Sequence, residues 1–319
     1  MSNLRPVKAL GGIAHQRAVP FFARRRLVKR LAGRTSLAGQ RGKVLLWPDT
    51  FTNNFHPAIG EAAVQVLEAA GFEVLTPDRT VCCGLTWIST GQLATAQRVA
   101  RRTLETLKPQ LRDGTPIVVL EPSCAAVFRD DLPKLLHGDQ DAHRLAHQTR
   151  TLAEILTERA SDWRPPTVGR QAVAQPHCHH HAVLGFDTDE KLVRQYGIDV
   201  DVLDAGCCGL AGNFGFEQEH YEVSMACAED KLLPSLRQAG AETLVLADGF
   251  SCRTQIDQSD VNQRPMHLAE VIAAALQGAQ PQPERPSAPS RAARTAVAAA
   301  AVAVAAAGPA AAWLYRRSR

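Results

Sequence analysis

The chain has 319 residues, 45% of them hydrophobic and 21% charged, which is the balance of a folded globular protein with room for two domains of ordinary size. Its net charge of +4 is small and only 5% of the residues are aromatic, so the composition argues against nucleic-acid binding, which uses basic patches interleaved with exposed aromatic residues. Eight cysteines in a chain that can build a core, without a secretory signal at its start, favour metal-binding thiolates in the cytoplasm over a disulfide framework.

The first half of the chain is predicted to alternate strands and helices. Residues 1–42 are basic and weakly patterned, which indicates an arm or linker that precedes the fold. From Lys43 onwards, short apolar runs of strand length alternate with stretches whose apolar residues recur at helical spacing. The predicted elements are strand KVLLW, helix PAIGEAAVQVLEAAG, strand FEVL, helix GQLATAQRVARRTLETL and strand PIVVLEP, which leads to Cys124. This alternation predicts an α/β fold with parallel sheets covered on both faces.

The second half repeats this order, which indicates an internal duplication. Its predicted elements are strand QAVAQP, helix DEKLVRQYG, strand IDVDVL, one long helix over EHYEVSMACAEDKLLPSLRQAG, and strand ETLVLA. Residues of the two halves match at a nearly constant offset: Pro48 with Pro176, Cys82 with Cys207, Cys83 with Cys208, and Cys124 with Cys252. We therefore predict two related subdomains, at residues 43–160 and 161–279, each with a cysteine cluster at the carboxyl ends of its strands.

The end of the chain differs from the rest in composition. Residues 280–294 are rich in proline and serine and are predicted to be a linker. Residues 295–315 are uncharged, end in Trp313 and Tyr315, and are followed by arginines. This pattern predicts a C-terminal transmembrane or tail-anchor helix on the cytoplasmic face of a membrane, with a soluble helical or disordered tail as the alternative.

Four cysteines of the second half fall at three predicted strand ends. They are Cys178, Cys207, Cys208 and Cys252. Because the carboxyl ends of parallel strands meet at one edge of a sheet, we expect these four thiols to lie together. Four thiolates are what an iron-sulfur cluster or a tetrahedral zinc site requires, and the flanking Gly206 and Gly209 would leave room for it.

The first half supplies only the three cysteines Cys82, Cys83 and Cys124. Thr50 occupies the position that matches Cys178. The fourth ligand could come from Asp49, Thr50 or His56, from water, or from a substrate. An open coordination position is typical both of a metal that performs chemistry and of a degenerate site, and these two interpretations stay open.

Histidines surround Cys178, and one further cysteine lies apart from both clusters. His177, His179, His180 and His181 are interpreted mainly as a polar loop that covers the cluster, with His179 as the candidate ligand because it directly follows Cys178. Cys227 lies within the long predicted helix and has no counterpart in the first half, so we expect a buried or inert thiol. No GxGxxG turn for a dinucleotide is present, so any flavin or nicotinamide would belong to another polypeptide.

Several motifs together resemble a known family. They are LWPDTFTNNFHP, VCCGLTW, LEPSCAAVFRDD, HCHHHAVLG, DAGCCGLAGNFG and LADGFSCRTQI. Over about residues 43–276 the chain is similar to the duplicated cysteine-rich, or Cys-Cys-Gly, domain of heterodisulfide reductases and of iron-sulfur subunits in glycolate oxidase, lactate utilisation and anaerobic glycerol-3-phosphate dehydrogenase systems. It resembles most the C-terminal part of fused FAD-linked 2-hydroxyacid dehydrogenase and iron-sulfur oxidoreductases.

This resemblance implies an iron-sulfur cluster, of the 4Fe-4S or the non-cubane kind, held by Cys178, Cys207, Cys208 and Cys252. The first site, with Thr50 where many relatives have cysteine, would then hold zinc, an incomplete cluster, or no metal. The implied partners are a polypeptide that carries the FAD, a ferredoxin-type iron-sulfur protein and a membrane acceptor. The three hypotheses for function are electron transfer from a flavin-linked D-lactate or glycolate dehydrogenase, disulfide reduction at a cluster, and a zinc-stabilised scaffold without catalysis.

Overall fold

Two four-stranded sheets, one in each half of the chain, organise the computed structural model, which describes residues 8–9, 11–77, 79 and 82–281. The strands of the first sheet are β1 (Lys43–Trp47), β2 (Glu73–Leu75), β3 (Ile117–Val119) and β4 (Thr149–Arg150). Those of the second are β5 (Arg170–Ala174), β6 (Ile198–Val202), β7 (Leu244–Leu246) and β8 (Pro265–Met266). All neighbouring strands are parallel, in the orders β2-β1-β3-β4 and β6-β5-β7-β8. The identical orders confirm the predicted α/β fold with two repeated parallel sheets.

Helices follow most of the strands, as parallel connections require. In the first half they are α1 (Leu27–Arg30), α2 (Thr50–Asn54), α3 (Pro57–Ala69), α4 (Leu85–Ser89), α5 (Leu93–Asp113), α6 (Pro122–Ala126), α7 (Leu132–Leu135), α8 (Gln140–Gln148) and α9 (Leu152–Arg159). In the second half they are α10 (Asp187–Gln195), α11 (Tyr221–Asp230), α12 (Leu232–Gln238), α13 (Phe250–Asp257) and α14 (Leu268–Leu276). Short π-helical turns at Val127–Asp131 and His180–Leu184, and 3-10 turns at Phe214–Phe216 and Gln218–His220, complete the described elements.

The long helix predicted across residues 219–240 is wrong, because the structure divides it into α11 and α12 at Lys231. Pro234 lies in the first turn of α12, where its missing N–H leaves no hydrogen bond unmade. In a continuous helix its ring would clash with the carbonyl of Asp230, four residues earlier. The proline therefore explains the break.

Side chains of β1 alternate between two apolar clusters, as expected for a strand with helices on both faces. Leu45 and Trp47 pack into a cluster made mainly of first-half residues. Val44 and Leu46 pack into a larger cluster that also contains residues of the second sheet, such as Leu246. Helices α3 and α14 pack against each other within this larger cluster, so the two halves share a core.

The N-terminal segment, predicted as a basic arm at residues 1–42, contacts both halves where it is described. Leu27 is fully buried beside Gly60, where an added Cβ would lie 2.2 Å from Leu27 Cδ2. Further upstream, the buried Arg17 side chain donates to Gly215 O at 2.7 Å and to Ser224 Oγ at 2.7 Å. The arm therefore packs on the surface of the folded chain.

The helix predicted at residues 295–315 and nearly all of the linker at 280–294 lie outside the described residues. Among the helices that are described, none combines the length and the apolar character that a bilayer crossing requires.

Candidate metal centres

The four cysteines of the second half converge at the carboxyl edge of its sheet. Cys178 follows β5, Cys207 and Cys208 follow β6, and Cys252 lies in the first turn of α13, after β7. Their thiols form a chain of hydrogen-bond contacts from Cys178 through Cys207 and Cys208 to Cys252. Cys208 and Cys252 are buried, whereas Cys178 and Cys207 are exposed, so the row of sulfur atoms runs from the core to the surface.

Electrostatics show what these crowded thiols require. Hydrogen bonds to Cys207, together with burial, raise the pKa values of Cys178 and Cys208. The same contacts lower the pKa of Cys207, whose sulfur also accepts the N–H of Gly209 at 3.3 Å. Only one thiolate is therefore stable in this row without a counter-charge. A bound metal supplies that counter-charge, and thiolate sulfur is a preferred donor for iron-sulfur clusters and zinc, so the donor set fits either group.

Gly209 is required by the way the second Cys-Cys-Gly turn packs. Its φ of +89° lies in the left-handed region, which glycine adopts without strain. An added Cβ at this position would lie 2.0 Å from Ser224 O of α11. By contrast, Gly206 has open space around it. The turn therefore needs a glycine only after the cysteine pair.

The histidines next to Cys178 divide into two groups. Nδ1 of His177 and Nδ1 of His179 each lie 3.9 Å from the sulfur of Cys178, and the three donor atoms are all within 4.8 Å of one another. His180 faces the other way and pairs its Nε2 with Asp189 Oδ2 at 3.2 Å, in the interior. His181 is exposed. Two histidines, not His179 alone, thus lie beside the cluster of thiols.

His177 was not singled out from the sequence, and its environment explains why it matters. It is buried, and burial lowers its pKa to about 4, with the neighbouring His179 and His180 contributing in the same direction. A neutral imidazole is the form that binds a metal or accepts a hydrogen bond. The ring packs against Gly249, where an added Cβ would lie 2.2 Å from His177 Cδ2. The only sequence signal was its position immediately before Cys178.

The first half places its three thiols at the equivalent edge. The sulfur atoms of Cys83 and Cys124 are 3.1 Å apart, and Cys82 contacts both Cys83 and Thr50. Hydrogen bonding between the thiols and burial raise the pKa values of Cys82 and Cys83. A hydrogen bond from Cys83 lowers the pKa of Cys124, but burial and two nearby carboxyl groups outweigh it and raise that pKa to about 11. These thiols too would need a cation to ionise together.

Two of the three candidates for the fourth ligand lie at these sulfurs. Thr50 contacts Cys82, and the charge of Asp49 acts on Cys124. Asp49 Oδ1 accepts the N–H groups of Phe51 and Thr52, but Oδ2 is buried without a hydrogen-bond partner among the described residues. Burial and the charge of Glu121 raise the pKa of Asp49 to about 6. This orphaned oxygen fits the donor set of a metal.

His56, the third candidate, packs instead toward the second half of the chain. Its ring lies 5.7 Å from that of Phe250. Burial, followed by the charge of Arg253, lowers its pKa to about 3. Both neighbours belong to α13, so His56 contributes to the boundary between the two halves.

The family profile described as CCG, the cysteine-rich domain, matches the chain twice, at residues 49–129 and 187–257. These segments contain the two Cys-Cys-Gly turns and the distal cysteines Cys124 and Cys252. The chain is a duplicated CCG cysteine-rich protein. The predicted resemblance is thereby confirmed, and it places the two CCG domains on the two parallel sheets.

Curated relatives share both CCG domains. The chain is 29% identical over 287 residues to the C-type subunit of the anaerobic glycerol-3-phosphate dehydrogenase of Escherichia coli (strain K12), covering 86% of this chain and 71% of the relative. It is 26% identical over 242 residues to lactate utilization protein A of Bacillus subtilis (strain 168), covering 72% of this chain and 98% of the relative. Each similarity extends well beyond a single CCG domain.

Cys227 stands apart from both CCG sets and is exposed, contrary to the expectation of a buried thiol. The buried positions of α11 are Ser224 and Ala228, one turn apart, and Cys227 falls beside that face. It still lies near the second Cys-Cys-Gly turn, because a Cβ added at Gly209 would lie 3.1 Å from Cys227 Cβ. Helical periodicity alone did not determine which face of α11 is covered.

Proposed function

We propose that this CCG protein is an iron-sulfur subunit that transfers electrons for a dehydrogenase. The observation that carries the proposal is the convergence of Cys178, Cys207, Cys208 and Cys252 at one sheet edge, with two of the thiols exposed. Four cysteine thiolates hold [2Fe–2S] and [4Fe–4S] clusters, and such a cluster supplies one-electron redox chemistry when bound. The exposed side of the thiol row is where an electron could enter or leave. A 4Fe-4S cluster, or a non-cubane variant of it, is the proposed cofactor.

At the first site, Cys82, Cys83 and Cys124 would hold a second metal centre with an oxygen of Asp49 or Thr50. Three thiolates and one oxygen form a donor set that suits zinc or an iron-sulfur cluster with a non-cysteine ligand. The burial of Cys83 and Cys124 supports a structural or relay role for this centre.

The proposed electron donor is a flavin-linked dehydrogenase for a 2-hydroxyacid, such as D-lactate or glycolate, on a separate polypeptide. The similarity to lactate utilization protein A supports this substrate class. The similarity to a glycerol-3-phosphate dehydrogenase component supports glycerol 3-phosphate as the alternative substrate of the partner. A ferredoxin-type protein and a membrane acceptor would receive the electrons.

Metal analysis of the full-length chain after anaerobic purification tests the cofactor. We expect iron and acid-labile sulfide, and an electron paramagnetic resonance signal after reduction. Cys207→Ser should remove most of this iron, whereas Cys227→Ser is the matched control and should retain it, because Cys227 lies outside both sets of thiols. Zinc without iron or sulfide would contradict the proposal and favour the scaffold hypothesis.

A second experiment addresses the reaction. The reduced signal should appear when the protein is mixed anaerobically with a D-lactate, glycolate or glycerol-3-phosphate dehydrogenase and the matching substrate. The dehydrogenase that reduces it fastest identifies the donor class. If a disulfide substrate instead alters the signal and none of the dehydrogenases does, disulfide reduction is the better assignment.

A further inference from the structure

The two distal cysteines occupy equivalent positions in short helices. Cys124 is the third residue of α6 and Cys252 the third residue of α13. The first helical turn leaves backbone N–H groups without intrahelical partners, so each helix needs a capping acceptor to hold its cysteine in place. The residue before α6 is Glu121, whereas the residue before α13 is Gly249, which has no side chain to provide a cap.

A single carboxylate caps both helices. Glu121 Oε1 accepts the hydroxyl of Ser123 at 2.8 Å and the N–H of Ser123 at 3.4 Å, within its own helix. Glu121 Oε2 accepts the N–H of Phe250, the first residue of α13, at 2.9 Å. Both oxygens are thus used, and each serves a helix that carries a cysteine of a different CCG domain.

Packing explains why the second domain cannot supply its own cap. Gly249 lies against the ring of His177, and an added Cβ would lie 2.2 Å from that ring. The space that a capping side chain would need is therefore taken by the histidine next to Cys178. Arg253 on α13, itself buried, adds a favourable charge for the Glu121 carboxylate.

We infer that Glu121 is a positioning residue shared by the two cysteine sites, so that disturbing either helix start loosens both Cys124 and Cys252. The inference rests on the proposed function only in so far as the ordered cysteines serve metal binding. The buried carboxylate cannot lose one partner without cost, because an unsatisfied buried charge is far less stable than an exposed one. The two centres would therefore assemble and come apart together.

The test removes one N–H group without touching Glu121. Phe250→Pro deletes the donor at the first helical position, where proline is well tolerated, and Gly249 already has the extended backbone that precedes a proline. The first domain has proline at the matching position, Pro122. Phe250→Ala is the matched control, because it also loses the ring but keeps the N–H.

The measurement is the rate at which each buried cysteine is alkylated in the full-length chain as isolated, followed by mass spectrometry, with iron content determined in parallel. We expect Phe250→Pro to raise alkylation of both Cys252 and Cys124 by about tenfold over Phe250→Ala, since losing a hydrogen bond to a charged group shifts an opening equilibrium by roughly that factor. A rise confined to Cys252 would overturn the inference, because Cys124 belongs to the other domain.

Variants at Glu121 provide an independent check if the proline variant does not fold. Glu121→Ala should expose both cysteines, whereas Glu121→Gln should stay close to the parent, because its oxygen can accept the Phe250 N–H and its amide can donate to Ser123 Oγ. Asp139→Ala removes the cap of the remote helix α8 and should leave both rates unchanged. Equal rates in Glu121→Ala and the parent would also overturn the inference. A parent chain without iron would instead contradict the proposed function and leave the alkylation comparison valid.

Discussion

At the scale of single residues, the second Cys-Cys-Gly turn shows how backbone geometry and chemistry depend on each other. Cys207 receives hydrogen bonds from the thiols on either side, and Gly209 donates its N–H to the Cys207 sulfur at 3.3 Å. The left-handed backbone of Gly209 aims that N–H. The absence of a side chain there lets Ser224 O approach closely. Geometry and chemistry at this turn therefore depend on the same residue.

Gly209→Ala should destabilise the protein by about 2 kcal/mol or more, because alanine is strained at positive φ and its Cβ would collide with Ser224 O. Gly206→Ala is the matched control, since it flanks the same cysteine pair but has open space, and it should change stability by less than about 0.5 kcal/mol. Urea unfolding of the two variants and the parent gives these differences. Equal destabilisation by both substitutions would contradict the assigned role of Gly209.

At the scale of secondary-structure elements, the N-terminal arm acts as a clasp on the loop that follows Cys208. Arg17 donates to Gly215 O in that loop and to Ser224 Oγ on α11, each at 2.7 Å. Its guanidinium also lies 5.0 Å from the centre of the Tyr221 ring. Because the charged group is buried, these partners replace the water it loses. The arm thereby ties the loop to α11.

Arg17→Ala should lower the free energy of unfolding by about 2–3 kcal/mol, because it removes two hydrogen bonds from a charged donor and leaves Gly215 O without that partner. Arg24→Ala changes an exposed arginine of the same arm and should leave stability unchanged within error. Denaturant titrations compare the two variants. The clasp would be disproved by an Arg17→Ala variant as stable as Arg24→Ala.

At the scale of the whole molecule, the two CCG domains form one packed unit. A single apolar cluster contains residues of both sheets and of the paired helices α3 and α14. Across the same boundary, His267 Nε2 lies 3.2 Å from Leu120 O and Glu121 accepts the N–H of Phe250. A shared core of this kind couples the unfolding of its parts.

Thermal unfolding is therefore expected to show one cooperative transition for both sheets. Leu107→Ala removes a buried side chain from the cluster composed mainly of first-half residues and should cost about 2–5 kcal/mol. If the halves are coupled, this substitution shifts the whole transition, and hydrogen exchange speeds up in β5 as well as in β1. Two separate transitions, with only the first one shifted, would show independent domains.

The sequence by itself determined the alternation of strands and helices, the duplication and the grouping of the cysteines. Each of these follows from local signals: apolar periodicity, turn residues and the repeated Cys-Cys-Gly triplets at strand ends. Even the inequality of the two sites was readable, since Thr50 occupies the position of Cys178. Where a local signal was overridden by a single residue, as at Pro234, the prediction of one long helix was wrong.

Only the tertiary structure decided which side chains meet across the chain. The pairing of Glu121 with Phe250, the insertion of Arg17 beside Ser224, the place of His177 next to Cys178, and the exposure of Cys227 all depend on how separate elements pack. Such contacts are set by three-dimensional packing among residues distant in sequence, which apolar periodicity does not encode. The cysteines could therefore be found in the sequence, but the residues that hold them in position could not.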